Sequence, residues 1–331
     1  MSFNIIPGQH KTKKILQDSI KNQRINHAYL FTGNNGLGKL EMAREFTRAV
    51  LCNKNGVDAC GECLSCKKIE HHNHPDFKIT EVLKDHKRIL IDQIREMQKE
   101  ISYKPYESEY KIYIINQAAK MTVQAQNSLL KTLEEPPKYA IIILINESKN
   151  ELIPTIVSRC QEVKLYNQSK DVIKDYLKKH YNLSPKKSLL YATIARGKYK
   201  KAVNLSSKND FIDNREVIIK FITNIDKKDN FAIYNFSEKL VELSDTDFPL
   251  FELMLSLLRD ILVMKRDVKD NIINFDYKEL ISNTVDKFDI YKIYELTGMV
   301  NKYNDYSDKN IKKELLFPSL LFKIRNSNNI G

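Results

Sequence analysis

A short glycine-containing stretch near the N-terminus has the residue types that hold phosphate. Residues 33–40 have the sequence GNNGLGKL, which fits the pattern G-x-x-x-x-G-K-[ST] until its last position. In such a loop, backbone N–H groups and the start of the following helix bind phosphate oxygens while the lysine neutralises their charge. Leu40 stands where a hydroxyl should ligate Mg²⁺. The spacing therefore predicts a phosphate-binding loop that lacks one magnesium ligand.

The second expected magnesium ligand is also replaced. Enzymes that hydrolyse nucleotides with this loop hold the metal through an acid at the end of a neighbouring strand. The matching apolar segment ends in Asn116 and continues with Gln117. An amide has no negative charge and cannot act as a base near neutral pH. We therefore expect negligible hydrolysis and no catalytic Mg²⁺, whereas binding of ATP or ADP stays open because Lys39 is intact.

Four of the five cysteines have the spacing of a metal site. They follow C-x₇-C-x₂-C-x₂-C, and successive C-x₂-C steps let thiolates meet one tetrahedral ion. We expect a closed, structural Zn²⁺ site. Its predicted ligands are Cys52, Cys60, Cys63 and Cys66.

Histidines close to this cluster leave one alternative open. One of them could replace Cys52 as the fourth ligand, and the candidates are His71, His72 and His74. Cys160 lies far outside the spacing and is expected to be a small apolar contact.

The elements that must position these residues alternate in the first half of the chain. Short apolar segments predict buried parallel strands, and segments with a helical period lie between them. The strand segments are 27–31, 77–82, 110–116 and 139–146, and the helical ones are 12–22, 39–52, 89–101 and 122–135. Pro136 and Pro137 should end the last of these helices. A doubly wound α/β domain over 1–166, with the metal module at 52–66, is predicted.

After residue 166 the apolar spacing approaches 3.6 residues. Helical patterns at 172–181 and 188–205 predict a small helical domain over 167–208. Further patterns at 251–266 and 312–325 predict an all-helical domain over 209–331.

The net charge of +12 is unevenly distributed. Eleven Lys or Arg residues and only two acids lie between Lys164 and Lys201. This segment is either a solvated face of a helical domain or a surface that faces phosphate. The N-terminus lacks the apolar core of a signal peptide, and no run approaches the ~20 apolar residues of a membrane span. We expect a cytoplasmic protein.

Three segments in this order resemble the AAA+ clamp-loader subunits of bacterial DNA polymerase III. They are HAYLFTGNNGLGK, YKIYIINQAAKMTVQAQNSLLKTLEEPP and LIPTIVSRC. The missing hydroxyl and the missing acid make the chain more similar to the delta-prime subunits than to the gamma/tau motor subunits. The resemblance implies a P-loop α/β domain with a parallel sheet and flanking helices, a small helical lid and an all-helical C-terminal collar.

The resemblance also implies roles for individual residues. Arg159 would act in trans as an arginine finger on the ATP of a neighbouring subunit. Asn146 would sense the γ-phosphate, and Lys201 would be a second, basic sensor in the lid. The implied nucleotide-binding residues, which need not still bind, are Gly33, Asn34, Asn35, Gly36, Leu37, Gly38, Lys39, Leu40, Asn146 and Lys201.

The function implied is that of an accessory, non-hydrolysing clamp-loader subunit in DNA replication. Its partners would be the gamma/tau and delta subunits and, through the complex, the sliding clamp and primed DNA. Two alternatives remain at this point: an active motor ATPase of the gamma/tau type, and a zinc-dependent nucleic-acid-binding protein.

Overall fold

The computed structural model describes residues 3–54, 56–208, 210–246, 248–266, 268, 272–307 and 312–327. The chain divides into two compact units, Met1–Val203 and Asn204–Gly331. The finer division at residues 166 and 208 stays a prediction.

A five-stranded parallel sheet forms the centre of the first unit. Its strands are β1 (Ala28–Thr32), β2 (Phe77–Thr80), β3 (Lys111–Ile115), β4 (Ala140–Ile145) and β5 (Gln161–Lys164). They are arranged in the order β2-β3-β4-β1-β5, with Leu30 opposite Leu144 and Ile114 opposite Ile143. Every residue of β1, β3 and β4 is buried, as expected for central strands covered on both faces by helices.

The four segments predicted as strands all contain one, and β5 was missed. In β5 only Val163 is buried, because this strand lies at the edge of the sheet. Four residues with one buried apolar side chain give too weak a pattern to predict a strand.

Helices surround and follow the sheet. They are α1 (His10–Lys21), α2 (Lys39–Val50), α3 (Leu64–Glu70), α4 (Ile91–Ile101), α5 (Val123–Glu134), α6 (Pro154–Val157), α7 (Lys170–Tyr181), α8 (Pro185–Ala195) and α9 (Tyr199–Ser206). The end of α5 before Pro136 confirms that prediction, and the short α3 and α6 were not predicted. The predicted α/β fold class is confirmed.

Side-chain caps fix where several of these helices begin. Thr122 accepts the N–H of Ala125 at the start of α5, and Ser169 and Ser184 cap α7 and α8 in the same way. The helices α7 and α8 pack against each other and are joined by residues 182–184. They form a helical hairpin with a short turn.

The described residues of the second unit form helices and turns and no strand. The helices are α10 (Phe211–Thr223), α11 (Asn230–Ser244), α12 (Leu250–Lys265), α13 (Lys278–Ser282), α14 (Ile290–Ser307) and α15 (Lys313–Ser327). α11 packs on α15 and α12 on α14, which confirms the predicted helical character of this region. Nowhere in the described ranges is a helix both long and apolar enough to cross a membrane.

A buried polar network stabilises the second unit. The guanidinium of Arg215 is fully buried and donates to both carboxylate oxygens of Asp276, at 2.7 and 2.8 Å. It also donates to Asn274, whose own side chain donates to Asp260 at 2.8 Å. Because a buried charge is costly unless paired, this network ties the 273–276 turn to α10 and α12.

Candidate nucleotide and metal sites

The predicted phosphate loop connects β1 to α2 at the carboxyl edge of the sheet. Gly38 precedes α2 with φ of +80°, a conformation that favours glycine. A Cβ at Gly38 would lie 2.5 Å from the hydroxyl oxygen of Tyr199. The loop therefore has the expected strand–loop–helix setting, and Tyr199 from α9 lies directly against it.

The amino group of Lys39 is bonded to its own loop. Lys39 is buried, and its Nζ donates to the carbonyl oxygens of Gly33 at 2.5 Å and Asn34 at 3.0 Å. Burial lowers the pKa of Lys39, although the nearby carboxylate of Glu147 acts in the opposite direction. A phosphate that used this lysine would have to displace both hydrogen bonds.

A cavity of about 570 Å³ opens beside the loop at the ends of the strands. The lining residues that were singled out from the sequence are Asn35, Gly36, Gly38, Lys39, Leu40, Asn116, Gln117 and Asn146. The neighbouring Gly33 and Asn34 line a second cavity, beside β5, and Leu37 is buried. Most of the predicted nucleotide-binding residues therefore come together.

Neither expected magnesium position carries the hydroxyl or carboxylate that usually ligates the metal there. Leu40 contributes an alkyl side chain to the cavity. Asn116, at the end of β3, donates its side-chain N–H to Glu81 at 2.8 Å. Glu81 follows β2, the neighbour of β3 in the sheet, and its interaction with the amide was not foreseen from the sequence.

Three carboxylates also line this cavity and were missed by sequence reasoning. Glu41 pairs with Lys200 at 2.6 Å, Glu147 accepts a hydrogen bond from Asn35, and Glu151 accepts one from Asn146 at 2.6 Å. Glu147 directly follows Asn146, so its place at the strand end could have been inferred. Their negative charge opposes the binding of a polyphosphate.

Asn146 is buried at the end of β4 and already makes three hydrogen bonds. Its side-chain N–H₂ donates to the carbonyl oxygen of Ser148 at 2.7 Å and to Glu151, and its Oδ1 accepts the N–H of Ala119 at 3.2 Å. Both of its donor hydrogens are used. Contact with a γ-phosphate would require one of these bonds to open.

The basic residue that reaches the cavity from α9 is Lys200. Its backbone N–H donates to the carbonyl oxygen of Gly36 at 3.1 Å. Lys201, the predicted sensor, follows it on α9 and is not among the residues that line the cavity. Its role stays a prediction.

Arg159 follows α6 and does not line the cavity of its own chain. Its guanidinium pairs with Glu134 at 2.7 Å and donates to the carbonyl oxygen of Thr155 at 2.9 Å. About a third of its side chain, 34 %, is exposed. The residue is thus held at the surface by a partly exposed ion pair.

The four predicted cysteines converge on one point. All four sulfur atoms lie within 4.8 Å of one another, and the pairs Cys52–Cys63 and Cys60–Cys66 are each 4.0 Å apart. Four thiolates around a tetrahedral ion at ~2.3 Å would be roughly 3.8 Å apart. The donor set and its spacing fit a closed tetrahedral site.

Backbone N–H groups favour the thiolate form of one cysteine in this cluster. The N–H groups of Glu62 and Cys63 lower the pKa of the Cys60 thiol to about 6, which favours the ligating thiolate. Burial has the opposite effect on Cys66 and raises its pKa to about 12.

None of the alternative histidine ligands belongs to the metal-competent group found in the described residues. His74 is buried, and its Nδ1 accepts the N–H of Asp76 at 3.1 Å while its Nε2 lies 3.2 Å from the Ser65 hydroxyl. His71 and His72 are exposed. Cys160 is also outside the group and packs against the sheet core.

Comparisons with known proteins agree with this geometry. A family model for the DNA polymerase III delta subunit matches residues 8–169, and a model for the C-terminal part of that subunit matches 209–326. The DNA polymerase III subunit delta' of Bacillus subtilis is 34% identical over 272 residues, covering 81% of each chain. The chain belongs to the delta-prime family of DNA polymerase III subunits.

Members of the gamma/tau group are similar to this delta-prime chain over a shorter range. The tau subunit of Bacillus subtilis is 36% identical over 160 residues, 48% of this chain and 28% of that one. The chain thus spans less than a third of that relative's length. Among solved structures, a gamma-subunit-related protein of Thermotoga maritima aligns with 96% of this chain and 100% of its own, at 19% identity and a TM-score of 0.46.

Proposed function

We propose that this delta-prime chain is an accessory subunit of the DNA polymerase III clamp loader that does not hydrolyse ATP itself. It assembles with gamma/tau and delta subunits and assists the ATP-driven loading of a sliding clamp on primed DNA during replication. The observation that carries the proposal is the cavity beside Lys39, where Leu40 and Asn116 stand in place of the hydroxyl and the carboxylate expected to ligate Mg²⁺.

The state of the phosphate loop supports a passive role. Lys39 is bonded to the loop carbonyls, and the amide of Asn116 is bonded to Glu81. Without a bound divalent cation, the charge on a transferring phosphoryl group has little to neutralise it. Nucleotide binding, if retained, would then serve the architecture of the complex.

The position of Arg159 supports action on a neighbouring subunit. The guanidinium is partly exposed, and it does not face the cavity of its own chain. Its partner Glu134 is 49 % exposed, so the ion pair is screened by water and opens at little cost. Once released, the planar, permanently charged group can stabilise the phosphoryl oxygens of a neighbour's ATP.

The cysteine cluster supports a structural zinc ion. Cys52, Cys60, Cys63 and Cys66 would hold it, and four thiolates leave no open coordination position for a reacting water. The ion would cross-link a module in which the N–H of Phe3 donates to Asp58 at 3.1 Å. The N-terminal segment is thereby tied to the metal site.

The second unit supports assembly through its helices. Large apolar side chains are exposed on α11 and α14, among them Phe231 at 73 % and Tyr291 at 83 %. Exposed aromatic residues are typical of protein contact surfaces. We assign this unit to contacts with other subunits.

Reconstitution with a gamma/tau partner tests the trans role. Arg159→Ala is expected to lower the partner's DNA- and clamp-stimulated ATP turnover by at least about tenfold, because removed arginine fingers cost more than this in related chemistry. The matched control is Arg24→Ala, which removes an exposed arginine from another surface. Unchanged turnover with Arg159→Ala would show that the trans assignment is wrong.

Because the chain is also similar to tau subunits, we retain one alternative function, that of an active motor ATPase with unusual metal ligation. Steady-state ATP turnover by the purified chain separates the two functions. The accessory role requires negligible turnover, whereas a motor requires turnover that depends on Lys39.

A further inference from the structure

The turn of the α7–α8 hairpin carries a group of unpaired cations. We call Lys178, Lys179, Lys186 and Lys187 the lid tip. The first two lie in the last turn of α7 and the other two in the first turn of α8. All four side chains are exposed, and none forms an ion pair within the described part of the chain.

Two other lysines of the same region are paired with carboxylates. Lys174 pairs with Asp171 at 2.7 Å, and Lys200 pairs with Glu41 at 2.6 Å. Four lysines that have no such partner among the described residues are grouped on the one turn that forms the lid tip. The exposed acid nearest to the lid tip on α7 is Asp175, one turn before Lys179, so the turn itself carries an excess of positive charge.

The stability of α7 and α8 explains the positions of only two of the four lid-tip lysines. Lys178 and Lys179 lie at the C-terminal end of α7, where a cation is favourable. Lys186 and Lys187 lie at the N-terminal end of α8, where the helix dipole makes a cation unfavourable. Their charge gives no benefit to the helix and is available to an anionic partner outside the chain.

We propose that the lid tip binds the phosphodiester backbone of DNA without reading its bases. That the anion is DNA rests on the proposed function, since the complex acts on primed DNA. Duplex DNA carries about one phosphate per 1.7 Å of helix axis, so several lysines on one short turn can each neutralise one. Lysine binds phosphate as a point charge, and such contacts fix position but carry no sequence information.

The surroundings of the lid tip disfavour the other anionic partners. Tyr181 is the one exposed large apolar side chain on the fully described helices α7 and α8. An anionic membrane needs a wider apolar face to hold a helix at its surface, and an acidic protein needs apolar anchors at the centre of the interface. A nucleic-acid backbone needs neither.

The test measures binding of the full-length chain to a fluorescein-labelled DNA duplex by anisotropy, from about 50 to 200 mM salt. The test variant carries Lys178→Gln, Lys179→Gln, Lys186→Gln and Lys187→Gln. Binding is expected to weaken at least about tenfold, and the slope of log K against log salt should fall by roughly 0.9 for each lost contact. Thermal unfolding checks that the variant folds.

A second variant with the same net charge controls for non-specific attraction. It carries glutamine in place of Lys11, Lys14, Lys21 and Lys67, four exposed lysines on α1 and α3. Near wild-type DNA affinity in this control supports the lid tip. An equal loss in both variants, or no loss in the lid-tip variant, overturns the proposal.

Two further probes identify the anion. Stronger binding to vesicles that contain phosphatidylserine, or to polyglutamate, than to the duplex would overturn the assignment to DNA. The same lid-tip variant, reconstituted with a gamma/tau partner, should retain Arg159-dependent ATP turnover measured without DNA. Unchanged DNA affinity in the lid-tip variant, with this turnover retained, would count against the lid tip alone. Turnover that does not depend on Arg159 would count against the proposed function.

Discussion

The cysteine cluster and the phosphate loop lie in the same unit, and their ligating atoms are arranged in opposite ways. The four cysteine sulfurs converge within 4.8 Å and leave space for an ion between them. The amine of Lys39 turns back to the carbonyl oxygens of Gly33 and Asn34. The four thiol sulfurs converge on one point, whereas the amine is bonded to carbonyl groups of its own loop.

The difference follows from the chemistry of the two groups. A thiol is a weak hydrogen-bond partner, so four thiols in contact gain little until a metal joins them. An ammonium group taken out of water must find oxygen acceptors, and the loop supplies them. A motif's spacing therefore predicts a working site only when its atoms have no better partner within the fold.

The largest expected effect comes from removing one cysteine ligand. Cys66→Ser should reduce the zinc content, measured by mass spectrometry, from one ion per chain to near zero. Because metal binding contributes directly to the folding free energy, the unfolding temperature should fall by more than about 5 °C. The control Cys160→Ala should leave the zinc content unchanged. Full zinc retention by Cys66→Ser would contradict the four-cysteine site.

A second prediction concerns repair of the phosphate loop. The triple variant Leu40→Thr, Asn116→Asp and Glu81→Gln supplies a hydroxyl and a carboxylate for Mg²⁺. The exchange Glu81→Gln keeps a hydrogen bond between the two strand ends, since the donor and the acceptor of the present bond simply change places. Magnesium-dependent binding of ATP, measured by calorimetry, should strengthen at least about tenfold over wild type.

The matched control keeps the exchanged pair but omits the hydroxyl. Asn116→Asp with Glu81→Gln alone should gain less affinity, because Leu40 still lines the cavity. Wild-type turnover at a motor's rate, lost in Lys39→Ala, would contradict the absence of a metal site.

A third, smaller effect should appear at alkaline pH on α7, where the Tyr176 ring contacts that of Tyr199 of α9 at 5.7 Å between centroids. Burial, helped by the nearby Tyr181 and Glu41, raises the pKa of Tyr176 to about 12. A raised pKa contributes stability that is present below the unfolded value of about 10 and is lost as pH rises through the folded value. Tyr176→Phe should reduce this fall in the free energy of unfolding by up to about 1 kcal/mol, a value that allows for screening by solvent.

Urea unfolding at pH 9 and pH 11.5 measures this change. The first pH lies below the unfolded pKa of about 10, and the second lies between it and the folded pKa of about 12. Tyr103→Phe, whose ring is exposed, is the control. An alkaline slope in Tyr176→Phe equal to that of wild type would show that the half-buried phenol of Tyr176 does not govern alkaline stability.

The sequence was sufficient wherever a local pattern determined the result. The central strands were predicted because their apolar runs are continuous, and the cysteine cluster because its spacing is short. The end of α5 was predicted from Pro136 and Pro137, which cannot continue a helix. The edge strand β5 was missed because a polar, half-exposed strand has no such run.

The internal bonding of the phosphate loop could not be predicted, because it depends on distant contacts. Tyr199 lies against Gly38 although the two residues are far apart along the chain. The hydrogen bond from Asn116 to Glu81 depends on the pairing of β2 with β3. No periodicity or motif encodes which carboxylate an amide will meet.

The smallest effect is expected at the ion pair that holds Arg159. Glu134→Gln keeps the shape of the partner and removes its charge, so the free energy of unfolding should change by no more than about 0.5 kcal/mol. The freed guanidinium should raise the turnover of a reconstituted gamma/tau partner by at most about fivefold, since an exposed ion pair is worth up to about 1 kcal/mol. A fall in turnover comparable to that of Arg159→Ala would mean that the intact Arg159–Glu134 pair, and not the released arginine, is the form that acts on the neighbour.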